Sequence, residues 1–200
     1  MRSCLTVLVI AAATASGQSQ PAEPVYKFYS TVFGTSVVKP GGLTGLVYEL
    51  EPGTDRLPSF DRMRAVSKAY TNSLDIRLQE FSRGFPGIPE RFEWFAIDYT
   101  GNIWITKAGR YRFILESDDG SALFLDSRLV IDNDGIHPVQ VKKGSAHLTA
   151  GLHQIRIAYF QGPRFHLALR QVSGPGERMH IFDTDQFAPA SGAGEARGSR

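Results

Sequence analysis

The chain has 200 residues, enough for one domain with some residues to spare, and its 42% apolar share can supply a core. A formal net charge of +2 gives no strong field for nucleic acid or an anionic membrane. Twenty glycines and 11 prolines predict many turns, as in an all-β protein.

The N-terminus has the pattern of a secretion signal. Arg2 gives a positive start, an apolar run follows over residues 5–13, and Ala13 and Ala15 have the spacing of a signal-peptidase site. The run is shorter than the roughly 20 residues of a membrane-spanning helix. We therefore expect residues 1–15 to be removed on export, which makes the protein secreted, periplasmic or attached to the cell surface. An apolar N-terminus that stays in place is the alternative.

The only cysteine, Cys4, lies inside the predicted signal. The mature chain is thus expected to contain no disulfide and no thiol chemistry. Residues 16–24 form a polar lead-in, residues 25–187 the domain, and residues 188–200 a tail of low complexity that we expect to be disordered.

The first half of the domain gives weaker signals than the second. Strands are expected at residues 46–50, 75–81 and 94–99, with one or two helical turns or an irregular loop at 61–69. The stretch RGFPGIP, residues 83–89, is a loop in which Phe85 is a candidate exposed aromatic contact.

The second half alternates apolar and polar residues in short runs bounded by Gly, Asp, Asn or Pro. Strands are predicted at 110–116, 121–126, 128–132, 153–159 and 164–172. Their alternation predicts a shared core of Tyr111, Phe113, Leu115, Leu123, Leu125, Ile155, Ile157, Leu167 and Leu169. Trp94 and Trp104 are assigned to the core too, since each lies in a strand run. The fold class is therefore all-β, an antiparallel β-sandwich or flattened β-barrel.

Two adjacent carboxylates, Asp118 and Asp119, precede Gly120 between two predicted strands. Like charges about 4 Å apart repel by roughly 1 kcal/mol in water and by more in a drier site. A simple turn needs only one aspartate, so either the pair faces open solvent or a cation lies against it. Gly120 lets the chain turn directly afterwards.

Other polar clusters are interpreted as structural. The sequence Asp132-Asn133-Asp134-Gly135 lacks the glutamate of a helix–loop–helix calcium site and is expected to be a turn. The five histidines do not have metal-site spacing. No nucleophile or phosphate-loop motif is present, and adjacent aspartates rarely have the separation of a glycosidase pair. The chain is therefore expected not to be an enzyme.

Three segments together resemble the protective-antigen (PA14) domain: GLTGLVYEL, then WFAIDYTGNIWITKAGRYRFILESDDGSALFLDSRLVIDNDGIH, then LTAGLHQIRIAYFQG. The match covers about residues 42–172. The resemblance implies a β-sandwich or flattened barrel that occurs as a module in adhesins, toxins, glycosidases and other secreted proteins. It also implies that Asp126 is a structural turn residue.

Some family members are calcium-dependent lectins, in which two aspartates joined by a cis peptide hold a calcium ion that also holds sugar hydroxyls. Asp118 and Asp119 match these positions. The lectins add an asparagine and backbone carbonyls from a late loop, which here reads Gln161-Gly162-Pro163-Arg164 without an asparagine. The resemblance therefore implies Asp118, Asp119 and Gln161 as metal ligands. Asp118, Asp119 and Gln161, together with Arg164, are implied to bind the sugar ligand. The positively charged Arg164 guanidinium would also compete with calcium for the two carboxylates.

These features together predict an exported, non-catalytic binding module for carbohydrate or a cell-surface polymer, assisted by calcium. No nucleic-acid partner and no membrane span are expected. Two alternatives stay open: a structural or assembly domain in which Arg164 pairs with the acidic turn, and an accessory domain of a separate secreted enzyme.

Overall fold

The computed structural model describes residues 33–76, 93–163, 166–172 and 180–187. The predicted signal, lead-in and tail lie outside these residues, as do Phe85 and Arg164. The side chains of Leu167 and Leu169 also lie outside what is described. Within the described part of the chain, no helix is long and apolar enough to cross a membrane.

Two antiparallel sheets make up the fold. The strands of the first sheet are β1 Leu43–Glu49, β2 Ser67–Thr71, β4 Phe95–Ile105, β6 Ser121–Leu125, β7 Arg128–Asn133 and β9 Gly151–Gln161. Their order across this six-stranded sheet is β2-β1-β4-β9-β6-β7. The central pair, β4 and β9, runs in unbroken register from Phe95 opposite Gln161 to Ile105 opposite Gly151.

The strands of the second sheet are β3 Asp75–Ile76, β5 Gly109–Asp118, β8 Gln140–Leu148, β10 His166–Val172 and β11 His180–Ile181. Strand β5 lies between β8 and β10. The short strands β3 and β11 both pair with β10. Single 3₁₀ turns occur at Phe60–Arg62 and Thr184–Phe187. The sheets stay separate, so the sandwich prediction is confirmed and the closed barrel is not formed.

The core lies between the two sheets because alternate side chains of each strand face inward. It contains the described members of the predicted set, all at most 7% exposed: Tyr111, Phe113, Leu115, Leu123, Leu125, Ile155 and Ile157. Tyr99, Tyr159 and Phe33 extend this core, and the Phe33 and Tyr159 rings stack with centroids 5.3 Å apart.

The assignment of Trp104 to the core is wrong, since 39% of the residue is exposed. It lies on β4 one position out of phase with the buried Ile103 and Ile105, so its side chain faces outward. Trp94, just before β4, is half-buried and packs against a second apolar cluster on the outer face. In both cases the sequence indicates a strand run but not the face of the sheet on which the tryptophan lies.

The turn expected at Asp126 forms, whereas the turn expected at residues 132–135 forms only in part, since Asp132 and Asn133 are the last residues of β7. Asp126 and Ser127 both have positive φ, 48° and 66°, and connect β6 to β7. In the loop after β7, the side chain of Asp132 accepts a hydrogen bond from the Asp134 amide at 3.1 Å. Side-chain acceptors of this kind are what favours aspartate in turns.

Candidate functional site at the Asp118–Asp119 turn

The turn between β5 and β6 consists of Asp119 and Gly120, and its backbone is bound to β9. The peptide bond between Asp118 and Asp119 is cis, as the resemblance implied. The Tyr159 hydroxyl lies 2.9 Å from the Asp118 carbonyl, within hydrogen-bond distance. The Phe160 amide donates to the Gly120 carbonyl at 2.9 Å. These two contacts hold the turn against β9, a central strand of the six-stranded sheet.

The Asp119 carboxylate joins three loops. Its Oδ2 accepts a hydrogen bond from the Gly162 amide at 2.7 Å, and its Oδ1 accepts one from the His137 amide at 3.2 Å. The residue is only 3% exposed. Burial raises the pKa of Asp119 even though both backbone amides and the nearby His137 act to lower it. A positive partner for this carboxylate would offset that desolvation.

Two glycines make these contacts possible through close approach. A Cβ on Gly162 would lie 2.9 Å from Asp119 Oδ2. A Cβ on Gly120 would lie 2.3 Å from Cε1 of Phe160, and Gly120 does not have a positive φ. The expectation that Gly120 serves the bend is therefore corrected: glycine is needed because a side chain would collide with Phe160.

A buried polar layer lies directly below the turn. The Ser117 and Ser121 hydroxyls are hydrogen-bonded to each other, and Asn133 Nδ2 donates to Ser117 Oγ at 2.8 Å. Asn133 Oδ1 is buried and has no hydrogen-bond partner among the described residues. The turn motif of the sequence does not reveal this buried role of Asn133. The alternation on β7 does indicate it, since Asn133 has the same phase as the buried Ile131.

Gln161, the third predicted metal ligand, lies fully buried at the end of β9. Its Oε1 accepts a hydrogen bond from the Tyr159 hydroxyl, while its Nε2 has no partner in the described part of the chain. The Tyr159 hydroxyl also faces the Asp118 carbonyl but has only one proton to donate. Gln161 is thus connected to the turn indirectly, by way of the Tyr159 hydroxyl. The sequence predicts that the Tyr159 ring is buried but does not predict this contact of its hydroxyl.

The structure therefore brings Asp118, Asp119 and the Gln161–Gly162 segment together, while Arg164 lies outside the described residues. Within those residues no group of three or more His, Cys, Asp or Glu side chains is placed to share a metal ion. The donor set at the turn is nevertheless one of hard oxygens. A carboxylate presents about four lone pairs, so the oxygens of Asp119 retain acceptor capacity after binding two amides. This chemistry suits calcium better than a softer metal.

The PA14 domain model matches residues 80–173, which include the turn and both of its supporting strands. Among curated proteins, none matches this sequence.

Solved structures with this fold include three informative neighbours. A "PA14 sugar-binding domain from RTX adhesin" is 19% identical, with 74% of this chain and 97% of that chain covered and a TM-score of 0.59. The PA14 domain of the MpAFP antifreeze protein is 16% identical, with 72% and 88% covered and a TM-score of 0.59. The Epithelial Adhesin 9 A domain from Candida glabrata, in complex with Galβ1-4GlcNAc, is 15% identical, with 75% and 91% covered and a TM-score of 0.52. At these identities the likeness concerns the fold, and together with the family match it shows that this chain contains a domain of the PA14 family.

Proposed function

We propose that this chain is an exported, non-catalytic module that binds carbohydrate at the Asp118–Asp119 turn with the help of calcium. The observation that carries the proposal is the buried Asp119 carboxylate, held by the amides of His137 and Gly162 where three loops meet. Such a site is preorganised, because its acidic group is fixed before a ligand arrives. The names of two neighbours, a sugar-binding adhesin domain and an adhesin domain in complex with Galβ1-4GlcNAc, support carbohydrate as the ligand class.

Calcium takes six to eight oxygen ligands, and two aspartates cannot fill that number. Asp118 and Asp119 would hold the ion, with Gln161 supporting them through Tyr159. The remaining positions would be taken by main-chain oxygens, water and sugar hydroxyls. An ion whose coordination is completed by the ligand gives a direct link between calcium and sugar binding.

The test measures thermal unfolding with and without calcium, followed by binding of Galβ1-4GlcNAc and of a glycan array. A ligand that binds only the folded state raises the melting temperature by mass action. Asp118→Asn and Asp119→Asn should each abolish both the calcium shift and glycan binding. Asp55→Asn is the matched control, since the Asp55 side chain is 72% exposed. The shift should also weaken in acid, because the raised pKa of Asp119 lets protons compete with calcium from a higher pH.

An unchanged melting temperature in both saturating calcium and chelator contradicts the calcium proposal. If Arg164→Ala then destabilises the wild-type fold, the structural alternative, in which Arg164 is the cation, replaces it. Glycan binding that survives in chelator and in both turn variants would place the sugar site elsewhere on the molecule.

A further inference from the structure

The outer face of the six-stranded sheet carries a groove that the acidic turn does not use. Residues 50–66 cover one end of this face, over a cluster that includes Tyr48, Phe60 and Phe160. Beside this cover lies a cavity of ≈ 630 Å³ bordered by Tyr48, Phe60, Asp98, Phe124 and Arg156. A smaller cavity of ≈ 120 Å³ is also bordered by Phe124 and Arg156. The size is in the range of small-molecule sites, roughly 300–1,000 Å³.

Arg156 is held rigidly in this groove. Its Nε donates to Asp98 Oδ1 at 2.7 Å. Its guanidinium lies over the rings of both Phe60 and Phe124, 5.5 and 5.0 Å from their centroids. Asp98 and Arg156 come from the neighbouring central strands β4 and β9, so the pair is built on the most regular part of the sheet. A polar group fixed in this way loses little freedom when it binds a ligand.

Several polar atoms of the groove remain available to a ligand. Among the described residues, no hydrogen bond is made by the terminal nitrogens of Arg156, by Oδ2 of Asp98 or by the Tyr48 hydroxyl. Burial raises the pKa of Asp98 in spite of the adjacent Arg156. Half-buried ion pairs are costly, and apolar residues would cover a sheet at least as well. Stability alone therefore does not account for this arrangement.

We propose that this groove is a binding site for a neutral saccharide, separate from the acidic turn and independent of calcium. Arg156 supplies hydrogen-bond donors, Asp98 an acceptor, and Tyr48 a hydroxyl that does both, which together match the hydroxyl groups of a sugar. Phe124, which is only partly buried, offers apolar surface for its C–H faces. An anionic ligand is disfavoured because the carboxylates of Asp98 and Asp61 border the same cavity as Arg156.

The wall of the groove is anchored to the loop after β7. The Leu57 amide donates to Asp134 Oδ1 at 2.7 Å, across 77 positions of sequence. Leu57 belongs to the segment that borders the cavity, so this bond fixes the width of the groove. A fixed width is a further sign of a preformed site.

The test is a calorimetric titration of the full chain in chelator with maltohexaose, cellohexaose and xylohexaose, and with oligogalacturonate as the charged counterpart. At least one neutral oligosaccharide should bind. Arg156→Lys keeps the charge but loses the planar fork, and Asp98→Asn keeps the shape but loses the acceptor charge. Each should weaken binding about tenfold or more. Arg112→Lys, an exposed arginine on the other sheet, is the matched control and should bind as the wild type does.

Three results would overturn the proposal: no neutral oligosaccharide binds in chelator, oligogalacturonate binds more tightly than all of them, or the folded Arg156→Lys and Asp98→Asn variants both retain wild-type affinity. If one variant fails to fold, Tyr48→Phe, which removes a single hydroxyl, replaces it. Because the titration is done in chelator, it does not depend on calcium at the acidic turn. Saccharide binding in the groove can therefore fail while calcium-dependent binding at the turn holds. Calcium-dependent binding at the turn can likewise fail while saccharide binding in the groove holds.

Discussion

Asp119 shows how one side chain can organise several loops. Asp119→Ala would leave the buried amide of Gly162 and the half-buried amide of His137 without their acceptor. An unsatisfied buried donor costs about 1–3 kcal/mol, so we expect at least that loss in the free energy of unfolding, measured by urea denaturation. Asp55→Ala, at an exposed position, should change it by less than about 0.5 kcal/mol. A loss at Asp119 no larger than that of this control would mean that the two amides find other partners.

His153 and Asp126 form an ion pair between β9 and the β6–β7 turn. His153 Nδ1 lies 2.6 Å from Asp126 Oδ2, and its Nε2 lies 3.0 Å from the Thr149 carbonyl. Burial acts to lower the pKa of His153, but these bonds outweigh it and raise the pKa above 6.5. Burial acts to raise the pKa of Asp126, and the bond to His153 outweighs that as well, so this pKa lies below 3.8.

The sign of the pH dependence follows from these shifts. A raised histidine pKa stabilises the fold below the unfolded value and loses this effect as the pH rises through the folded value. Unfolding free energy should therefore decline from about pH 6.5 upward, and Asp126→Asn should flatten that decline. The Asp126 side chain is 47% exposed, so the change should stay below about 1 kcal/mol. Parallel pH profiles of wild type and variant, recorded by urea melts, would contradict this role.

A residue of the candidate site can be predicted from the sequence only if it belongs to a local sequence pattern. The pair Asp118–Asp119 stands out because two adjacent charges need an explanation. Tyr159 and Gln161 do not stand out, because apolar alternation shows that the Tyr159 ring faces inward but not where its hydroxyl points. That the Tyr159 hydroxyl meets the Asp118 carbonyl depends on how β9 lies beside the β5–β6 turn. Such contacts are long-range and leave no local pattern.

At the scale of elements, the hairpin β6–β7 was predictable and the edge strand β8 was not. The hairpin alternates apolar and polar residues around a tight turn. Strand β8 pairs with β5 alone at the edge of its sheet and is exposed along most of its length, with Lys142 and Lys143 near its middle. Charged residues on an edge strand discourage pairing with other chains, and they also erase the alternation by which strands are recognised.

Strand β5 is the element on which the second sheet depends, because it pairs with both β8 and β10. Leu115 in this strand is fully buried. Leu115→Ala should therefore lower the free energy of unfolding by about 2–5 kcal/mol in urea melts. Val141→Ala on the neighbouring β8, where the side chain is 48% exposed, should cost less than about 1 kcal/mol. Equal losses at the two positions would contradict the assigned faces of the sheet.

At the scale of the whole molecule, one loop connects the two proposed sites. The segment after β7 provides Asp134, which binds the Leu57 amide beside the groove, and His137, whose amide binds Asp119. Neither contact could be predicted from the sequence, because the partners come from distant parts of the chain and join different sheets or loops. The fold class follows from alternation within strands, whereas the sites arise where loops from separate strands meet.

This connection can be tested at its groove end by a substitution that leaves the Asp119 carboxylate and its two amide bonds in place. In Asp134→Ala, the amides of Leu57 and Gly135 lose the oxygen that both now use, Asp134 Oδ1. A lost hydrogen bond of about 1–1.5 kcal/mol should accelerate amide hydrogen exchange at Leu57 by about tenfold. The Gly162 amide is bound by Asp119 and should exchange as in the wild type, which serves as the internal control. Saccharide binding in chelator should weaken in the same variant, because the wall at Leu57 is no longer fixed. Unchanged exchange at Leu57 would mean that residues 50–66 are held in place by their apolar cluster alone.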